Sequence, residues 1–242
     1  WSEKYLVVWQ EEDSSWNAYV MAQMLDREGN PEGDCFKIKD VDPEYNPRQY
    51  SPMVTATGSG KFLVVWVDGW YSEEQEDIYY DGVVGKIVDA ENPANDEYYP
   101  FTVGGYNRVD WETQPYAVYD SVNNRFLVVW DTVVKEESEE YHGRRAAMQL
   151  IQYDDYYDTY YGVFDGYEYV SEQGYYEYIE NGLYQFLPAA GYDSFNDRFL
   201  VVWEQESDKV DDGYMIFGRF LSFDSNGYLA NELSGDSFKV SG

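Results

Sequence analysis

Apolar positions along the chain fall into short runs of strand length, and four of these runs are nearly the same six residues. They are Lys4-Tyr-Leu-Val-Val-Trp9, Lys61-Phe-Leu-Val-Val-Trp66, Arg125-Phe-Leu-Val-Val-Trp130 and Arg198-Phe-Leu-Val-Val-Trp203. Their continuous aromatic and β-branched character suits a strand covered on both faces. A proline opens a second run before three of them, at Pro52, Pro115 and Pro188, which precede the repeat tryptophan by 14, 15 and 15 residues. Gly, Asn and Asp join the two runs (Gly58-Ser-Gly60, Asn123-Asn124, Asn196-Asp197), so a tight hairpin is expected. A third run follows each hexapeptide (18–25, 83–88, 144–151 and 214–221), and a short fourth one closes each unit (36–38, 101–103, 167–170 and 238–240). No segment longer than about ten residues shows helical spacing without also reading as a strand.

The tryptophans lie 57, 64 and 73 residues apart, which makes the chain one supersecondary unit repeated four times. Tandem four-stranded antiparallel sheets are the blades of a β-propeller. The expected fold is therefore all-β, a single four-bladed β-propeller over 1–242 with blades near 1–46, 47–108, 109–182 and 183–242. Trp9, Trp66, Trp130 and Trp203 are the expected structural core, wedged at equivalent positions between blades. The first unit lacks its first strand because the sequence opens at Trp1, a start that suggests a trimmed product. Fifteen strands are counted rather than sixteen. Either the first blade has three strands, or another molecule supplies one by edge addition.

Charge narrows the partners. There are 47 Asp plus Glu against 16 Lys plus Arg, a net of -31. Nucleic acid and anionic membranes both need a basic face, so neither is an expected partner. No apolar run reaches 18 residues, so no membrane insertion is expected. An acidic surface attracts divalent cations and sugar hydroxyls, and it also serves plain solubility in salty water. One cysteine, Cys35, and one histidine, His142, leave no set for a zinc site.

The fourth unit carries Arg198-Phe-Leu-Val-Val-Trp203, Ile216-Phe-Gly-Arg219, Asp224 with Gly227, and Phe238-Lys-Val240. This pattern resembles the blade repeat of bacterial and archaeal secreted or cell-surface β-propeller repeat proteins. The resemblance implies an extracellular or cell-surface location and says little about activity.

Acidic loops follow every hexapeptide. Glu11, Glu12, Asp13, Asp68, Asp77, Asp131, Asp208, Asp211 and Asp212 are candidate Ca²⁺ ligands, since Ca²⁺ takes six to eight oxygens, although no calcium-loop spacing is present. A Tyr-rich insertion at 153–178 suits a protein interface, a packing loop or a sugar platform. With the open edge of the first hexapeptide it supplies the candidate interface residues Tyr5, Val7, Tyr156, Tyr157, Tyr160, Tyr161, Tyr175 and Tyr176, and self-association is the expected partnership. No nucleophile elbow, P-loop or HExxH occurs. The leading expectation is a non-catalytic extracellular structural or adhesive module that self-assembles and holds divalent cations. The alternative is a lectin-like propeller that binds carbohydrate, and a glycosidase using paired carboxylates is third.

Overall fold

A computed structural model of the chain describes residues 3–93, 99–106, 109, 113–135, 141–154, 159–164, 166–170, 184–206, 213–230 and 236–241. The described residues form sixteen strands and one 3₁₀ turn at Pro43–Tyr45. The first sheet holds β1 (Tyr5–Glu12), β2 (Ala18–Leu25) and β3 (Pro31–Lys37), in that order. The second holds β4 (Tyr50–Ala56), β5 (Lys61–Ser72), β6 (Asp77–Asp89) and β7 (Phe101–Gly104). The third holds β8 (Tyr116–Asp120), β9 (Arg125–Lys135), β10 (Tyr141–Asp154), β11 (Thr159–Gly162) and β12 (Glu168–Tyr169). The fourth holds β13 (Gln185–Asp193), β14 (Arg198–Glu206), β15 (Tyr214–Leu221) and β16 (Phe238–Ser241). Every pairing is antiparallel between chain neighbours, save that β12 returns to β10. Among the described residues the first blade has three strands.

The hexapeptide strands are buried on both sides because each side meets a different neighbour. In β5, Phe62, Val64 and Trp66 pack on the first sheet with Leu6, Val20 and Met24. The alternate residues Leu63, Val65 and Val67 pack on the third sheet with Phe126, Val128 and Trp130. Leu127 and Val129 then meet Phe199, Val201 and Trp203 of the fourth. These three cores join sheets 1–2, 2–3 and 3–4, and no core cluster among the described residues joins 4 to 1. Among the described residues the propeller is open along that seam.

The seam corrects one expectation. Trp66, Trp130 and Trp203 are buried to 2% exposure or less, but Trp9 is only half-buried, and Tyr5 and Val7 beside it are 58% and 44% exposed. Alternation puts all three on the face a preceding blade would cover, and none is there. The strand tally is also corrected. β11 forms within the Tyr-rich insertion, where Tyr160 packs on Phe126 and Tyr153 at ring distances of 6.0 and 5.1 Å. Tyr160 thus belongs to the core at 7% exposure, whereas Tyr161 is 41% exposed. Tyr156, Tyr157, Tyr175 and Tyr176 lie outside the described residues.

Inner hairpins turn on side-chain caps. Asp120 Oδ1 accepts from the N–H groups of Val122 and Asn123, and Asp193 Oδ1 accepts from those of Phe195 and Asn196. The residue before the following arginine is left-handed in both, Asn124 at φ 53 and Asp197 at φ 49. These are Asx turns, which explains the Asp-x-x-Asn spacing.

Candidate functional site

β5 and β6 run longer than their counterparts in the first and fourth sheets and project as a hairpin on the face where the inner strands begin. Their register is broken once. Asp68 lies opposite Gly82 and Gly69 opposite Tyr80, so Asp81 is an extra, bulged residue. A bulge re-aims a side chain out of the alternation. Glycine makes this one feasible: Gly82 has φ +114, and a Cβ there would lie 2.5 Å from the Gly104 carbonyl oxygen. A Cβ on Gly69 would lie 2.4 Å from the Tyr79 carbonyl oxygen.

The connection from the first to the second blade forms the opposite wall. Asp42 caps the 3₁₀ turn through the Glu44 N–H, and Asn46 leaves it left-handed. The segment is sewn to the hairpin by Tyr71 N–H to Asn46 O at 3.0 Å and Arg48 N–H to Gly69 O at 2.8 Å. Between the walls lies a cleft of about 590 Å³.

Asp68 sits at its base, 3% exposed. Its Oδ1 accepts from the Trp66 indole N–H at 2.9 Å, and its Oδ2 pairs with Lys39 Nζ at 2.5 Å. Asp81 lines the same cleft with its side chain open to it. The protein packed around it and the negative charge of Asp68 push its carboxyl above the ordinary 3.8, and Lys39 only partly opposes this. Trp70, 41% exposed, stacks on Tyr79 at 5.0 Å and 19°, which gives the cleft a rigid aromatic wall. Glu73 and Glu74 line its mouth. Two carboxyls in unlike environments, beside an exposed ring, can exchange a proton and hold the apolar face of a sugar.

Two further concavities open on the same face. One, of about 390 Å³, has the buried Asp131–Arg144 ion pair at its base with Phe186, Glu204 and Tyr214 around it. The other, of the same size, is lined by the starts of the inner strands, including Pro52, Pro115 and Pro188.

The candidate calcium ligands that the structure describes do not converge. Among the described residues no three His, Cys, Asp or Glu are grouped to hold a metal ion. Asp13 caps its own turn through Ser15 and Asn17, Asp77 bonds the Ile78 N–H, Asp68 and Asp131 are ion-paired, and Glu11 and Glu12 are exposed. Asp208, Asp211 and Asp212 lie outside the described residues. Of the described candidate calcium ligands, Asp68 alone lines the cleft, with Glu73 and Glu74 of the same acidic loop. Asp81 escaped notice because it stands inside a strand. The available signal was an Asp-Gly pair interrupting an apolar run, which marks a bulge. No helix among the described residues is long and apolar enough to cross a membrane.

No family model and no curated protein matches the sequence. Solved structures do match by shape. An endo-1,5-α-L-arabinanase from Thermotoga petrophila aligns at 11% identity and a TM-score of 0.51, over 98% of this chain and 57% of that one. The family 43 glycoside hydrolase YxiA from Bacillus licheniformis aligns at 13% and 0.51, over 99% and 58%. The chain therefore spans a little over half the length of these two proteins. Both are glycoside hydrolases, which overturns the expectation of a non-catalytic structural module. At this identity the likeness itself establishes the fold, an all-β propeller of stacked antiparallel sheets.

Proposed function

We propose that the protein is a carbohydrate-directed propeller that hydrolyses a glycosidic bond in the cleft between its first two blades. The observation that carries this reading is the carboxyl pair. Asp81 is held protonated to higher pH beside Asp68, which is buried and paired with Lys39. Such a split is what acid-assisted glycoside cleavage requires. Asp81 is the acid that gives its proton to the leaving oxygen. Asp68 keeps that proton in place and offsets positive charge at the sugar carbon. Glu73 and Glu74 are the open carboxylates that can accept a proton from the attacking water, and Trp70 is the platform under the sugar ring. The kinship of shape with two glycoside hydrolases, one of them an arabinanase, supports the reaction class and makes arabinan the first polymer to try.

The test is release of reducing ends from arabinan and a panel of other polysaccharides. Asp81→Asn should lower kcat by about 10²–10⁴, the usual worth of a positioned acid. Trp70→Ala should act mainly on KM. If the unmodified chain binds a glycan by calorimetry and never cleaves it, the lectin-like reading replaces hydrolysis.

A further inference from the structure

Granted the cleft as the saccharide site, on which this rests, we propose that its sugar carries a positive charge, as an unacetylated 2-amino sugar does. Elsewhere in the molecule, acids of the turns and seams are answered within the chain. Asp13, Asp26 and Asp193 are bonded by Asn17, Asn30 and Asn196, and Asp120 and Asp131 are paired with Arg125 and Arg144. At the cleft three acids are not answered. Glu44, on the 43–48 wall, and Glu73 and Glu74, beyond Trp70 at the end of β5, all line it and are exposed. Among the described residues no hydrogen bond or ion pair reaches their carboxylates. Lys39 is the one basic side chain described around the cleft, and its Nζ is already held by Asp68.

Charge therefore sorts what can enter. A uronate would bring its carboxylate among those of Glu44, Glu73 and Glu74 and meet no free cation lining the cleft. An ammonium finds the reverse. The platform adds a second attraction of the same sign. Trp70 is backed by Tyr79 and keeps its ring exposed to the cleft. Such a ring attracts the apolar face of a sugar and, through its quadrupole, a cation above it. A neutral sugar would stack there and leave the three carboxylates unmatched. A lysine side chain would match a carboxylate but has no broad ring face to lay on the platform. A sugar ring with an ammonium on its rim answers both.

The net charge of -31 draws any cation at long range, so the test has to separate the cleft from the surface. Calorimetry on the 242-residue chain at about pH 6, where an amine of this kind is largely protonated, does so with three ligands. These are the tetramers of glucosamine, of N-acetylglucosamine and of lysine. In about 10 mM salt, where the screening length is about 30 Å, the glucosamine tetramer should bind about tenfold tighter than its acetylated twin. Near 1 M, where that length is about 3 Å, most of the difference should vanish. Glu44 has no part in the proposed chemistry and is exposed, so Glu44→Gln should leave the fold intact. It should cost the glucosamine tetramer about fivefold in affinity and the acetylated one nothing. Trp70→Ala should weaken both sugars and leave the lysine tetramer unchanged.

Equal affinity for the two sugars would overturn the proposal, as would a lysine tetramer that binds as tightly as the glucosamine tetramer, or no binding of either sugar. Cleavage of arabinan with no preference between the sugar tetramers would remove the charge selection and leave hydrolysis standing. Charge-dependent binding of the glucosamine tetramer with no cleavage of any glycan would do the opposite.

Discussion

Replacing Trp66 and Trp9 in turn by alanine measures the open seam directly, because the two residues hold the same place in the repeat and differ only in what covers them. Trp66 is fully buried between the first two sheets and donates its indole N–H to Asp68. Its truncation should cost about 3–5 kcal/mol for lost burial and the cavity left behind. A further ~1 kcal/mol comes from leaving Asp68 one donor short. Trp9 is half-buried, and its indole reaches only the exposed Glu11 at 3.4 Å, so its truncation should cost about 1 kcal/mol, the ordinary worth of a surface change. At about 2.1 cal/mol/K of unfolding entropy per residue, 242 residues convert about 5 kcal/mol into about 10 °C of Tm. Trp66→Ala should therefore melt about 10 °C below the parent and Trp9→Ala about 2 °C below it. Thermal unfolding followed by far-UV circular dichroism reads both. Equal losses would show that Trp9 is covered, and the open propeller would be wrong.

Three further outcomes bear on the carboxylates. Asp68→Gln removes the charge that helps raise Asp81, whereas Lys39→Met removes the charge that opposes it. The alkaline limb of the pH–rate profile should accordingly move down in the first and up in the second. In the folded protein Asp81 binds its proton more tightly than the ordinary 3.8, so the parent loses stability as pH rises from 3.8 through the raised value. Asp81→Asn should therefore melt above the parent at pH 7 and match it below 3.8, by calorimetry at both. Asp120 runs the other way. Burial opposes its charge, but the neighbouring Tyr192 hydroxyl and hydrogen bonds from Asn123 and Arg125 hold its carboxyl below 3.8. Its stabilising effect is present above 3.8 and fades as pH falls through the lower folded value. Asp120→Ala should cost about 3–5 kcal/mol at neutral pH by leaving Arg125 buried without its carboxylate. That gap should narrow in acid denaturation.

The propeller was legible because its information is repeated. The hexapeptide, the proline before the inner strand and the Asx turn between them each recur, and each has one local cause. The departures were harder to read. β11 rests on Tyr160 reaching Phe126 across the sheet, a contact that Tyr-rich composition does not distinguish from a loop. The half-exposure of Trp9 depends on what is absent beside it, and its own six residues are nearly those of Trp66. The acidic loops read alike as calcium ligands, yet among the described residues Asp13 caps a turn and Asp68 and Asp131 are ion-paired, because a carboxylate is satisfied by the nearest donor. Asp81 could not be weighed at all without the register shift that turns it out of β6.

The four blades also serve as controls for one another, and they separate what packing needs from what the cleft has added. Two residues after the repeat tryptophan stand Glu11, Asp68, Thr132 and Gln205. In the fourth blade Gln205 accepts the Trp203 indole N–H at 3.2 Å and is itself bonded by the buried Gln185. A neutral amide therefore completes the seam. Asp68 does the same for Trp66, so its charge is surplus to that task, and a surplus charge at 3% exposure is a cost unless it is matched. The match is Lys39, from the loop that walls the cleft, and the beneficiary is Asp81 on a bulge that neither the first nor the fourth blade forms in its corresponding pair of strands. Lys39, Asp68, the bulge and the glycines that permit it occur together at one seam. The third blade bulges likewise between Tyr141 and Gly143, so what sets this seam apart is the Lys39–Asp68 pair standing beside the bulge, the arrangement that the proposed hydrolysis uses.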